Sequence, residues 1–134
     1  MNQEIASSVG LEGHDSGVLA VDELLERCMG NIEFAERVLS KFVNRFDEDL
    51  AELEKDLELE DSEGIVSVAH RLKGSSANVG AHGLRDRAAA IEAMARARQT
   101  SEIRSGLDQL RDEWFRFVES ASALAPSSES GNSD

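Results

Sequence analysis

From Ala35 to Leu57 the apolar residues of this chain recur mostly at intervals of three and four. Ala35, Val38, Leu39, Phe42, Phe46, Leu50, Leu53 and Leu57 therefore share one stripe. That spacing belongs to one face of an α-helix of about eight turns. A helix with such a stripe must bury it against other elements. The spacing predicts a helix that starts at Asn31, after a stop at Gly30, and ends near Leu59.

Four more helices follow from the same reasoning. Residues 18–29 place Val21, Leu24, Leu25, Cys28 and Met29 on one side of a short leading helix. A third helix runs from about Ser62 to Asn78, with Asp61 and Ser62 as cap candidates and Gly80 as its stop. A fourth spans about Ala81 to Gln99 with Leu84, Ala88, Ile91 and Ala95 inward. A fifth, capped by Thr100 or Ser101, carries Ile103, Leu107, Leu110, Trp114, Val118 and Ala121, and Pro126 follows its end. Long amphipathic helices with short connections predict an all-α fold, an antiparallel four-helix bundle with a short additional N-terminal helix. Residues 1–17 read as a flexible N-terminus, 18–123 as the bundle domain and 124–134 as a disordered acidic tail. The initial Met suits a free-standing protein, and an excised domain would look the same.

Composition removes other classes. Of 134 residues, 27 are acidic and 14 basic, a formal charge of −13, which argues against coating nucleic acid or an anionic membrane. One Pro and ten Gly supply too little turn chemistry for an all-β fold. The single Cys28 excludes an internal disulfide and reads as a buried small hydrophobe. No apolar run of about 18 residues is present, and the first ten residues lack the pattern of a signal peptide. These features predict a protein of the reducing cytoplasm, and the polar outer faces of the helices favour a monomer.

The third helix carries the chemistry. On a wheel of about 100° per residue, Ile65, Val68, Leu72 and Val79 cluster opposite His70. His70 then faces solvent, with Lys73 and Gly74 one turn further on and Ala77 beyond them. An exposed neutral imidazole is a competent nucleophile toward phosphorus. A lysine one turn away can hold phosphate oxygens as a point charge. Glycine inside a helix costs about 1 kcal/mol relative to alanine, so Gly74 marks a place where something approaches the imidazole closely. Ser75 and Ser76 read as close-packing positions whose hydroxyls bond back one turn. His14 and His82 lie outside any such constellation.

The string AHRLKGSSANVGA, residues 69–81, resembles the signature of histidine-containing phosphotransfer (HPt) domains. His70, Leu72, Lys73, Gly74, Ser75, Ser76 and Gly80 stand at the offsets of that motif, and the resemblance extends over about residues 18–122. It implies a four-helix bundle whose exposed histidine is phosphorylated on a ring nitrogen. By the resemblance, His70 is the phosphoacceptor, Lys73 the cation beside the phosphate and Gly74 the clearance for a partner. Many members place a polar residue, more often Gln, twenty-two positions after the histidine to orient the ring. Here that position is Glu92, which reads equally as an orienting carboxylate or as a surface charge.

The implied function is a phosphoryl relay between receiver-domain aspartates, the partners being receiver domains of hybrid histidine kinases and response regulators. No nucleotide loop is present, so no autonomous kinase activity is expected, and no cofactor beyond magnesium on the partner receiver domain. The competing classes are an adaptor that binds without phosphoryl flux and a histidine-based hydrolase or metal-binding bundle. Residues 64–100 hold six basic and two acidic residues, a local +4, while the remainder carries −17. A basic segment in an acidic chain suits an acidic receiver pocket.

Overall fold

The computed structural model describes residues 21–124, and these form helices joined by short turns. The leading helix α1 is described over residues 21–27. It is followed by α2 (Ile32–Glu58), α3 (Ser62–Asn78), α4 (His82–Arg96) and α5 (Thr100–Leu124). The expected N-terminal stretch 1–17, His14, Pro126 and residues 125–134 of the expected tail lie outside the described residues, while Leu124, the first residue of that tail, closes α5.

Local chemistry sets most boundaries. The Asn31 carboxamide oxygen accepts from the Phe34 N–H at 3.0 Å, and the Asp61 carboxylate accepts from the Gly64 N–H at 3.0 Å. Each satisfies one of the orphan donors at a helix start. Gly30 and Gly80 end α1 and α3 in the left-handed region, both at φ 78°. At the second, the Ala81 N–H returns to the Ser76 carbonyl at 2.8 Å, closing the last turn.

Two expected boundaries move. Helix α4 ends at Arg96 rather than Gln99, because Arg98 takes φ 59° and turns the chain without a glycine. Helix α5 already includes Thr100, so neither Thr100 nor Ser101 precedes it as a cap.

Four helices form an antiparallel bundle. Helix α3 packs most extensively on α4, while α2 lies against α3 and α5, and α4 against α5. Phe46, Leu53, Ile65, Leu72, Leu84, Ile91, Ile103, Leu107 and Leu110 are fully buried. Truncating one of these leucines to alanine costs about 2–5 kcal/mol. Aromatic rings from α2 and α5 meet in this core. Phe46 stacks on Trp114 with centroids 4.0 Å apart, and Phe42 meets Phe46, Trp114 and Phe117 edge-on. The indole N–H of Trp114 donates to Asp47 at 3.0 Å.

Helix α1 covers the end where α3 turns into α4. Val21 and Leu24 are buried, and the Arg27 guanidinium donates to the Asn78 carbonyl at 2.6 Å. Glu23 meets His82 Nε2 at 2.8 Å, so His82 has a partner that the sequence reading did not assign. The carboxylates between Asp47 and Glu63 are not all solvated. Asp49 is buried and accepts from Arg71 on α3 at 3.1 Å, tying α2 to α3.

Candidate functional site

Ile65, Val68, Ala69 and Leu72 fix the rotation of α3 by filling the core. His70 is thereby left on the outer face, with its side chain 65% exposed. Lys73 and Gly74 follow on the same face, half-buried and exposed respectively. The α3–α4 hairpin then brings the residue twenty-two positions on beneath the imidazole.

That residue is Glu92, and it is no surface charge: its side chain is 7% exposed. Its stripe neighbours Ala88, Ile91 and Ala95 are core residues of α4. Oε2 stands 3.2 Å from Nδ1 of His70 and 2.8 Å from the Arg96 guanidinium. Oε1 stands 3.0 Å from Nζ of Lys73. Burial alone pushes the Glu92 carboxyl up, but hydrogen bonds from Arg96, Lys73 and His70 outweigh it and hold its pKa at about 2. Glu92 is therefore an anion at neutral pH.

This anion sets the chemistry of the ring. A carboxylate only accepts, so Nδ1 carries the proton and donates it to Oε2. The neutral ring then presents its lone pair at Nε2, on the exposed side. A second-row nucleophile with its proton held on the far nitrogen is suited to attack an electrophile arriving from solvent.

The glycine of this face differs from others in the bundle. A Cβ at Gly74 would meet nothing within 4 Å, whereas one at Gly106 would press on Met94 and Ile91 at 3.1 and 3.2 Å. Packing inside the chain accounts for Gly106 and gives no reason for Gly74. Beside it, Ser75 Oγ donates to the Leu72 carbonyl at 3.3 Å, as expected. Ser76 is fully buried, and its hydroxyl makes no such bond.

A family model for the Hpt domain matches residues 37–119. The chain belongs to the Hpt domain family. Its fold is also similar to that of the histidine-containing phosphotransfer protein HptB from Pseudomonas aeruginosa PAO1. That match has a TM-score of 0.68 at 23% identity and covers 78% of this chain and 90% of the other. No curated protein matches. Hpt domains are phosphocarrier modules of phosphorelays rather than kinases, and this Hpt domain has that histidine phosphotransfer role. Among the described residues no helix is long and apolar enough to cross a membrane.

Two features of this Hpt domain were missed in the sequence. Arg96 lies four residues after Glu92, a spacing that signals a helical ion pair, yet it counted only toward local charge. The net charge of the 64–100 segment also overstates its free positive charge. Arg71 is bound by Asp49 and Glu52 of α2, and Arg85 by Asp86.

Proposed function

We propose that His70 is the phosphoacceptor of this domain. Its Nε2 takes a phosphoryl group from the phospho-aspartate of one receiver domain and passes it to the aspartate of another. The observation that carries this reading is the buried Glu92 carboxylate on Nδ1, which leaves Nε2 free on an exposed helix face. Lys73 supplies a cation to the phosphoryl oxygens, and the open space over Gly74 admits the receiver. Glu92 orients the ring and offsets the positive charge it gains on phosphorylation.

The domain contributes a rigid post, and the receiver contributes most of the electrostatic catalysis. Magnesium belongs to the receiver, the domain needs no cofactor of its own, and it does not phosphorylate itself from ATP. It acts as a cytoplasmic monomer with receiver domains of hybrid histidine kinases and response regulators as partners, and with neither nucleic acid nor membrane.

The test is transfer of radiolabel from a panel of phosphorylated receiver domains. Acid-labile, base-stable label on the native chain and none on His70→Gln supports the relay. Binding without label would make the domain an adaptor.

A further inference from the structure

Three cationic or proton-donating groups converge on one buried carboxylate in the resting chain. Lys73 holds Oε1 of Glu92, while Arg96 and His70 share Oε2. Lys73 therefore starts on Glu92, and to meet a phosphoryl group on His70 it must leave. Removing one partner from a buried ion pair strands the other charge, which is strongly unfavourable. Arg96 removes that obstacle. It lies on the oxygen that Lys73 does not use, at 2.8 Å, and its own side chain is 62% exposed, so no second charge is buried. An arginine suits this duty because it stays charged and holds its geometry.

We propose that Arg96 is a positioning residue for phosphoryl transfer: it keeps Glu92 compensated, and so frees Lys73 to move from Glu92 to the phosphoryl group on His70. The inference rests on His70 as phosphoacceptor. In the step itself, the Nε2 lone pair forms the N–P bond. The bond from phosphorus to the aspartyl oxygen breaks, and its electron pair leaves with the donor's carboxylate. The Nδ1 proton stays on the ring, whose new positive charge faces Oε2 of Glu92. Lys73 then neutralises phosphoryl oxygens while Arg96 remains in place. Arg96 acts through Glu92 and not on the reacting atoms.

Phosphoramidate tests this without any receiver. Its P–N bond breaks as the bond to His70 forms, and ammonia leaves with the electron pair. The native chain, Lys73→Ala, Arg96→Gln and the double variant are labelled, and acceptance rate and the 31P resonance of the phosphohistidine are followed. Loss of Lys73 should slow acceptance by about tenfold, the scale of one charge-assisted hydrogen bond, and shift the resonance. Arg96→Gln should slow it similarly, and Lys73→Ala should then add little, because Lys73 stays on Glu92. Arg96→Lys should restore most of the rate, and in a Glu92→Gln background Arg96→Gln should have no effect. Circular dichroism checks that each variant is folded. Native acceptance by Arg96→Gln, or losses that multiply independently, would overturn the inference. Failure of receiver-dependent labelling with this coupling intact would count against the relay and leave Arg96 in its role.

Discussion

Glu92 Oε2 lies 3.2 Å from Nδ1 of His70, on a buried carboxylate beneath an exposed ring. The pairing joins the centre of α3 to α4 and decides which ring nitrogen faces solvent. It follows from helix rotation: the core residues of each helix leave His70 outward and Glu92 at the seam.

Substitutions at Gly74 should separate stability from the proposed function. With open space around its Cβ position, Gly74→Ala should stabilise the helix by about 1 kcal/mol, read as a rise in the denaturation midpoint. Gly74→Gln should leave helicity unchanged and slow transfer from a receiver by roughly a hundredfold, because a docked partner would be displaced. Native transfer by Gly74→Gln would remove the clearance role.

The low pKa of Glu92 links the site to acid stability. Its folded value is about 2 against an ordinary 4.5. The unfolded chain takes the proton first, so the stabilisation is full above pH 4.5 and is lost as pH falls toward about 2. The difference amounts to on the order of 3 kcal/mol. Denaturant titrations should show the native chain losing that much more stability across this window than Glu92→Gln. Parallel losses would show that the carboxylate is not held by its partners.

Asp56 runs the other way. Burial, Asp61 and Glu52 push its carboxyl up, against the opposing charges of Lys55 and Arg71. The Asp56 and Asp61 carboxylates converge over Gly64, whose missing side chain leaves them room. A raised carboxyl favours the folded state below its unfolded pKa, and that advantage is lost as pH rises through the folded value. At neutral pH Asp56→Asn should therefore raise stability by roughly half a kcal/mol, the scale of a partly exposed charge contact. The gain should vanish in acid. A destabilised Asp56→Asn at pH 7 would contradict this.

What the sequence displayed was what repeats or caps. The stripe from Ala35 to Leu53, the cap at Asn31 and the stop at Gly80 are local signals, and the helices follow them. The outward position of His70 came from the wheel for the same reason. Partnerships between distant residues leave no such trace. Asp49 with Arg71, Trp114 with Asp47 and Glu23 with His82 join different helices, and each residue alone looks like a solvated charge or a core aromatic. Glu92 shows the limit most clearly. Its place on α4 was legible, but its burial depends on how α3 and α4 pack. Arg98 turned the chain in a conformation usually left to glycine or asparagine, so the end of α4 carried no marker.

In the proposed relay, Nε2 of His70 carries the phosphoryl group while Nδ1 keeps its proton. The most direct measurement is 15N and 31P NMR of the ring-labelled chain after phosphorylation by a receiver domain. One N–P linkage is expected, at Nε2 of His70, with a protonated Nδ1 and no signal in His70→Gln. A phosphoryl group on Nδ1, or on any other residue, would contradict it.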